Sequence, residues 1–175
     1  MEFEGEYSHH KKWNGKGYDE NGNVIYELIN GNGKVKEYYY NCRLRFEGEY
    51  LNGKRNGKGK EYDEKGELRF DGYYLYYYKI RGKEYFDDIL IFEGEYLNGK
   101  GKVYNDGELI FEGEYLNGKR NGKGKEYDYY NGRLIFEGEY LNGKRNGKGK
   151  EYYDNDEIYD KLIESADSDS EYVSD

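Results

Sequence analysis

Apolar and polar residues alternate along most of this chain with a period of two. Leu44, Phe46, Gly48 and Tyr50 fall on one side of an extended segment, and Arg45, Glu47 and Glu49 fall on the other, which is the mark of a strand with unlike faces. The same Leu-x-Phe frame returns at Leu68, Leu90, Leu109 and Leu134. A slip of one residue would turn every ring onto the charged face, so the register is strongly specified. Between the alternating segments stand turn residues. The two Asn-Gly pairs of Asn52-Gly53-Lys54-Arg55-Asn56-Gly57 are predicted to close one hairpin, with a return strand from Gly57 to Tyr62. Asp63-Glu64-Lys65-Gly66 then turns the chain again.

The pattern is repeated, not merely periodic. The string FEGEYLNGKRNGKGKEY begins at Phe46, at Phe111 and at Phe136, and looser copies start at Phe3, Tyr26, Phe70 and Phe92. A spacing of about two strands and two turns suits a hairpin unit that buries its apolar face against copies of itself. The predicted fold is therefore all-β: one elongated, twisted antiparallel meander of about seven tandem hairpins over residues 1–153, with a short helical or disordered acidic tail at 154–175. About fourteen strands at ~4.8 Å spacing give a ribbon on the order of 65 Å long.

Glycine recurs in step with the rings, and Gly57 and Gly59 are read as bare backbone on which neighbouring rings sit. The repeat core is accordingly assigned to Phe46, Gly48, Tyr50, Gly57, Gly59, Phe111, Gly113, Tyr115, Phe136, Gly138 and Tyr140. Three units depart from the pattern: Leu28 replaces a glycine, the Phe92 unit lacks the Lys-Arg-Asn-Gly turn, and Tyr76-Tyr77-Tyr78 replaces the turn of the Phe70 unit. Residues 73–86 thus read either as drift or as a bend or docking surface. There Tyr73, Tyr74, Tyr76, Tyr77, Tyr78 and Tyr85 beside Phe86 would form an aromatic patch of the kind that marks protein interfaces.

Composition changes this picture in two respects. Leu, Ile, Val and Phe are scarce, while Tyr numbers 25 and Gly 26 among 175 residues, so rings carry the apolar mass. The formal charge of -9 comes from the acidic stretch that starts at Glu151, whereas the body is balanced; a bulk-charge argument for nucleic acid fails. Cys42 is alone, and no stretch reaches the roughly 18 apolar residues of a membrane span. These features lead to the expectation of a cytoplasmic protein.

Candidate chemistry is sparse. Gly53-Lys54-Arg55-Asn56-Gly57-Lys58-Gly59 has the wrong spacing for a phosphate loop and no helix after it. His9 and His10, read as strand neighbours, would point to opposite faces and share no metal. The abundant carboxylates recur in every unit, as a solvated face does, and no Cys-His-acid set offers a nucleophile. No cofactor, metal or catalytic residue is expected. Ser168, with Glu171 three residues on, reads as a kinase acceptor or simply as part of a solubilising tail.

Phe46, Gly48, Tyr50, Gly53, Gly57 and Gly59, matched again over Phe111–Gly124 and Phe136–Gly149, resemble the MORN (membrane occupation and recognition nexus) repeat. The resemblance implies hairpins running on as one long sheet, and scaffolding at membrane junctions, cytoskeleton or cilia. The expected function is a non-enzymatic module binding protein partners or itself. The alternative is a peripheral membrane module that meets acidic phospholipids through basic turns: Lys54, Arg55, Lys58, Lys119, Arg120, Lys123, Lys144, Arg145 and Lys148.

Overall fold

The computed structural model describes residues 2–153, so the expectations for the tail, Ser168 included, lie outside the described residues. The strands are β1 (Glu2–Ser8), β2 (Lys11–Tyr18), β3 (Val24–Leu28), β4 (Gly33–Tyr38), β5 (Leu44–Leu51), β6 (Lys54–Tyr62), β7 (Leu68–Leu75), β8 (Tyr78–Phe86), β9 (Ile89–Glu95), β10 (Asn98–Asn105), β11 (Glu108–Leu116), β12 (Lys119–Tyr127), β13 (Leu134–Leu141) and β14 (Lys144–Glu151). Each pairs antiparallel with its sequence neighbours, in the meander the alternation predicts, except across β3 and β4. The ladder falls into a three-stranded sheet, β1-β2-β3, and an eleven-stranded sheet, β4 to β14.

The first turn of each unit is tighter than the two Asn-Gly pairs suggest. Asn52 and Gly53 alone form it, with φ of 52° and 68°, the positive pair of a two-residue hairpin turn. Asn117-Gly118 and Asn142-Gly143 repeat it. His9-His10 and Tyr76-Tyr77 take the same conformation, so the histidines occupy a turn rather than a strand. The second Asn-Gly lies inside β6, where the three residues Asn56 to Lys58 oppose the single Glu49, between the pairs Tyr50/Arg55 and Gly48/Gly59. Gly57 sits there at φ 91°, and a Cβ on it would meet the Glu49 carboxylate. Gly57 is therefore a bulge residue and not a seat for a ring. Glu49 Oε2 instead accepts the Lys58 backbone N–H at 3.1 Å, and the bulge recurs with Glu114 and Lys123 at 2.9 Å.

Gly59 is a ring seat. A Cβ on it would lie 2.7 Å from the Phe46 ring, and one on Gly48 would lie 2.6 Å from the Gly59 Cα. Opposed glycines continue from strand to strand as Gly48, Gly59, Gly72, Gly82, Gly94, Gly101, Gly113, Gly124, Gly138 and Gly149, one each from β5 to β14. Phe46, Phe70 and Phe111 lie fully buried along this track. Each of Phe46, Phe92 and Phe111 meets the tyrosine of the next unit edge-on, Tyr74, Tyr115 and Tyr140, at 5.4, 5.5 and 5.3 Å between centroids, a favourable arrangement of ring quadrupoles.

The track fails once, at Leu28 and Val35, and so does the ladder. Both side chains are buried where paired glycines elsewhere let strands approach, and between β3 and β4 the pairing shrinks to the single bridge Ile29/Asn32. Turn-to-turn bonds hold the two sheets together: Gly31 N–H donates to the Trp13 carbonyl at 2.7 Å, and Gly53 N–H to the Gly31 carbonyl at 2.8 Å. The irregular centre, by contrast, keeps its register from β7 through β10.

Candidate interaction surfaces

The ring face is closed by cations. Arg55 lies over Phe46 with its guanidinium carbon 4.1 Å from the ring centroid, Arg120 lies over Phe111 at 3.9 Å, and Arg145 over Phe136 at 4.0 Å. Alternation explains why: Arg55 is opposite Tyr50, and the glutamates flanking Phe46 across the ladder are Glu37 and Glu61. Arg55 binds Glu37 through both Nε at 3.0 Å and Nη2 at 2.7 Å, and Glu61 through Nη1 at 2.8 Å. Tyr50 donates its hydroxyl to Glu37 as well. Burial pushes the Glu37 carboxyl up, but the Arg55 hydrogen bonds and charge overcome it and hold the group below the ordinary 4.5. Lys79 takes the same place over Phe70 at 4.7 Å, between Glu61 and Glu84.

The other face carries rows of charge. Lys36, Glu47, Lys60, Asp71, Lys83, Glu93, Lys102, Glu112, Lys125, Glu137 and Lys150 stand directly opposite one another in succession from β4 to β14, alternating in sign without a break. Tyrosines at the strand ends fold onto this row: Tyr62 donates to Glu47 at 2.9 Å, Tyr104 to Glu93 at 2.8 Å and Tyr127 to Glu112 at 2.7 Å. This face is concave. Strands β6 to β14 enclose a trough of about 1240 Å³, its lining including Tyr73, Lys83, Glu93, Lys102, Glu112 and Lys125. Positive and negative groups are close to balanced along it.

The nine basic candidates divide among three surfaces. Arg55, Arg120 and Arg145 are the lids over phenylalanine, and Arg55 is buried, so these arginines do not project from a lipid-facing edge. Lys58, Lys123 and Lys148 line the trough. Lys54, Lys119 and Lys144 remain on the turn edge, opposite Leu51, Leu116 and Leu141 in register, with all three leucines exposed. The set of nine basic turn residues read from sequence is corrected to this row of lysines and leucines. The reason is the tight turn: once the chain reverses at Asn52-Gly53, Arg55 already belongs to a strand and alternation sends it to the ring face.

The central aromatics are likewise distributed. Tyr74 is a core residue, Tyr73 lies in the trough with Arg81 stacked on it at 4.1 Å, and Tyr76, Tyr77 and Tyr78 are exposed at the turn edge. Phe86 is exposed at the far end of β8 beneath Arg69 at 4.8 Å, about 26 Å from Tyr78 at ~3.3 Å per residue. They do not form one patch. Sequence reasoning missed the opposite edge, whose turns carry Asp19, Asp63, Asp87, Asp88, Asp106 and Asp128. The signal was present in the sequence, since the turns after β5, β11 and β13 lead into Lys54, Lys119 and Lys144 while those after β6, β8, β10 and β12 carry aspartate. Among the described residues, no group of three or more His, Cys, Asp or Glu could hold a metal ion.

Three stretches match the family model described as the MORN repeat, at residues 46–67, 111–132 and 136–157. No curated protein matches the chain. Each matched stretch begins at a phenylalanine seated on the glycine track and runs through the tight turn and the bulge into the return strand. The chain carries three MORN repeats over these stretches.

Proposed function

We propose that this protein is a non-enzymatic, cytoplasmic scaffold module, a ribbon that binds protein partners or further copies of itself, with the charged trough as its partner-facing surface. The observation that carries the reading is the alternating row from Lys36 to Lys150 along that concave face. A polyanion such as a phosphate-rich ligand gains little there, because each lysine is bracketed by carboxylates. A protein segment of mixed charge meets complementary groups at every strand, and such complementarity sets register and selects partners.

The test is a photo-crosslinking residue in place of Tyr73, at the trough. Discrete protein adducts that vanish when Lys83, Lys102 and Lys125 are together changed to Glu support the reading. Adducts insensitive to that change, or none, overturn the trough as the binding face.

A peripheral membrane role is the second reading, favoured by the row Leu51/Lys54, Leu116/Lys119 and Leu141/Lys144 along one edge. Apolar side chains between lysines suit an anionic interface, at about 1 kcal/mol per cation near the surface. Co-sedimentation with phosphoinositide vesicles at low and high salt tests it. Salt-sensitive binding lost in K54E/K119E/K144E supports it, and absence of binding sinks it.

A further inference from the structure

We infer that the ribbon can extend itself head to tail, with β1 of one copy pairing onto the outer edge of β14 of the next. The inference rests on the self-association arm of the proposed function and specifies its interface. Among the described residues, β1 pairs only with β2, and β14 only with β13, and every residue of β14 is exposed. The two strands are also complementary halves of a repeat: β1 carries the Phe-Glu-Gly-Glu-Tyr of a first strand, and β14 the Gly-Lys-Gly-Lys-Glu of a second.

The internal junction between β12 and β13 supplies the register. There Gly122, Lys123, Gly124, Lys125 and Glu126 stand opposite Tyr140, Glu139, Gly138, Glu137 and Phe136. Transferred to β14 and β1 of a second copy, the same register sets Gly147 opposite Tyr7, Lys148 opposite Glu6, Gly149 opposite Gly5, Lys150 opposite Glu4 and Glu151 opposite Phe3. The glycine track crosses the joint unbroken. So does the alternating charge row, since it ends on Lys150 at one terminus and begins Glu4, Lys16, Glu27 at the other.

The rings at the two ends lack what the other end offers. Tyr74 and Tyr140, each packed on the phenylalanine of the preceding unit, are 3% and 4% exposed, whereas Tyr7 is 60% exposed. Among the described residues, Phe136 has only its own unit's Tyr140 as a ring partner, whereas Phe111 has both Tyr115 and Tyr140. In the transferred register Tyr7 covers Phe136 and points its hydroxyl at Glu151, as Tyr140 does at Glu126. Lys12, which lies over Phe3 at 4.9 Å, reaches Glu151 as Arg55 reaches Glu37. Lysines on an edge strand ordinarily discourage pairing; here Lys148 and Lys150 each face a glutamate. Because the joined surfaces differ, the contact is heterologous and propagates as an open series.

Sedimentation velocity of the full chain over a wide range of concentration, with far-UV circular dichroism as a folding control, tests the interface. The expected result is a ladder of species growing with concentration, weakened about tenfold or more by E4K/E6K and equally by K148E/K150E, since like charges replace opposed ones. An equal mixture of the two variants should restore assembly, because each strand then meets a partner of opposite sign. All four positions lie on exposed strand residues. A wild type that stays monomeric overturns the inference and leaves only the protein-partner arm of the proposed function. Assembly that both variants share undiminished also overturns it, while leaving self-association through another surface.

Discussion

At the scale of the residue, glycine and arginine carry this fold together. The track holds rings against bare backbone: a Cβ on Gly124 would sit 2.8 Å from the Phe111 ring and 3.0 Å from the Tyr140 ring, and neither ring is free to retreat. Gly124→Ala should therefore lower stability by about 1–3 kcal/mol, as overpacking does, read as a reduced urea midpoint. Gly132→Asn, in an open turn at φ 67° that Asn tolerates, should stay within about 0.5 kcal/mol of wild type. The arginine lids add a dependence on pH. Glu37 is held below its ordinary 4.5 because Arg55 outweighs the cost of burial, so its contribution is complete above that value and is lost as pH falls through the lower, folded one. The acid limb of a stability-versus-pH curve should accordingly be steeper for wild type than for Glu37→Gln, and equal slopes would contradict the assignment.

At the scale of the element, the unit is a hairpin with a built-in bulge. Strands this rich in glycine gain little from side-chain burial at those positions, and the bulge compensates by giving Glu49, Glu114 and Glu139, each the second glutamate of a Glu-Gly-Glu, a backbone donor to bind. Glu114 accepts the Lys123 amide in this way, and Tyr127 binds Glu112 on the same face. Glu114→Ala should cost about 0.5–1.5 kcal/mol and selectively speed hydrogen exchange at the Lys123 amide, while the Gly113/Gly124 pairing beside it stays protected. Uniform loss of protection across β11 and β12 would mean that the bulge supports the whole hairpin rather than one bond.

The hairpin was largely legible before the structure. Period-two alternation and the Asn-Gly turn specify the strands, and identical strings specify the units, because local backbone preference and burial point the same way. The bulge was not legible: Asn56-Gly57 looks like a turn to any local rule, and only pairing with β5 shows that the chain has already turned.

At the scale of the whole molecule, each strand touches mainly its neighbours, so stability is close to a sum of unit and junction terms. The exposed β14 and the short β1-β2-β3 sheet, joined across a single bridge, should exchange their amides first, and β5 to β13 last. Simultaneous exchange everywhere would show one cooperative block instead.

The sequence by itself determined the all-β meander, the strand register, the partnership of glycine with rings and the MORN resemblance, since all of these follow from side-chain period and turn chemistry within one unit. Only the tertiary structure decided which cations share a surface. Alternation carries Arg55 to the ring face and Lys58 to the trough although they are three residues apart, and stacking of alternate turns gathers lysine on one edge and aspartate on the other. The break between β3 and β4 also waited on the fold: the sequence shows Leu28 in place of a glycine, but the loss of pairing beside it to the single bridge Ile29/Asn32 is a relation between two strands that only the placed backbone reveals.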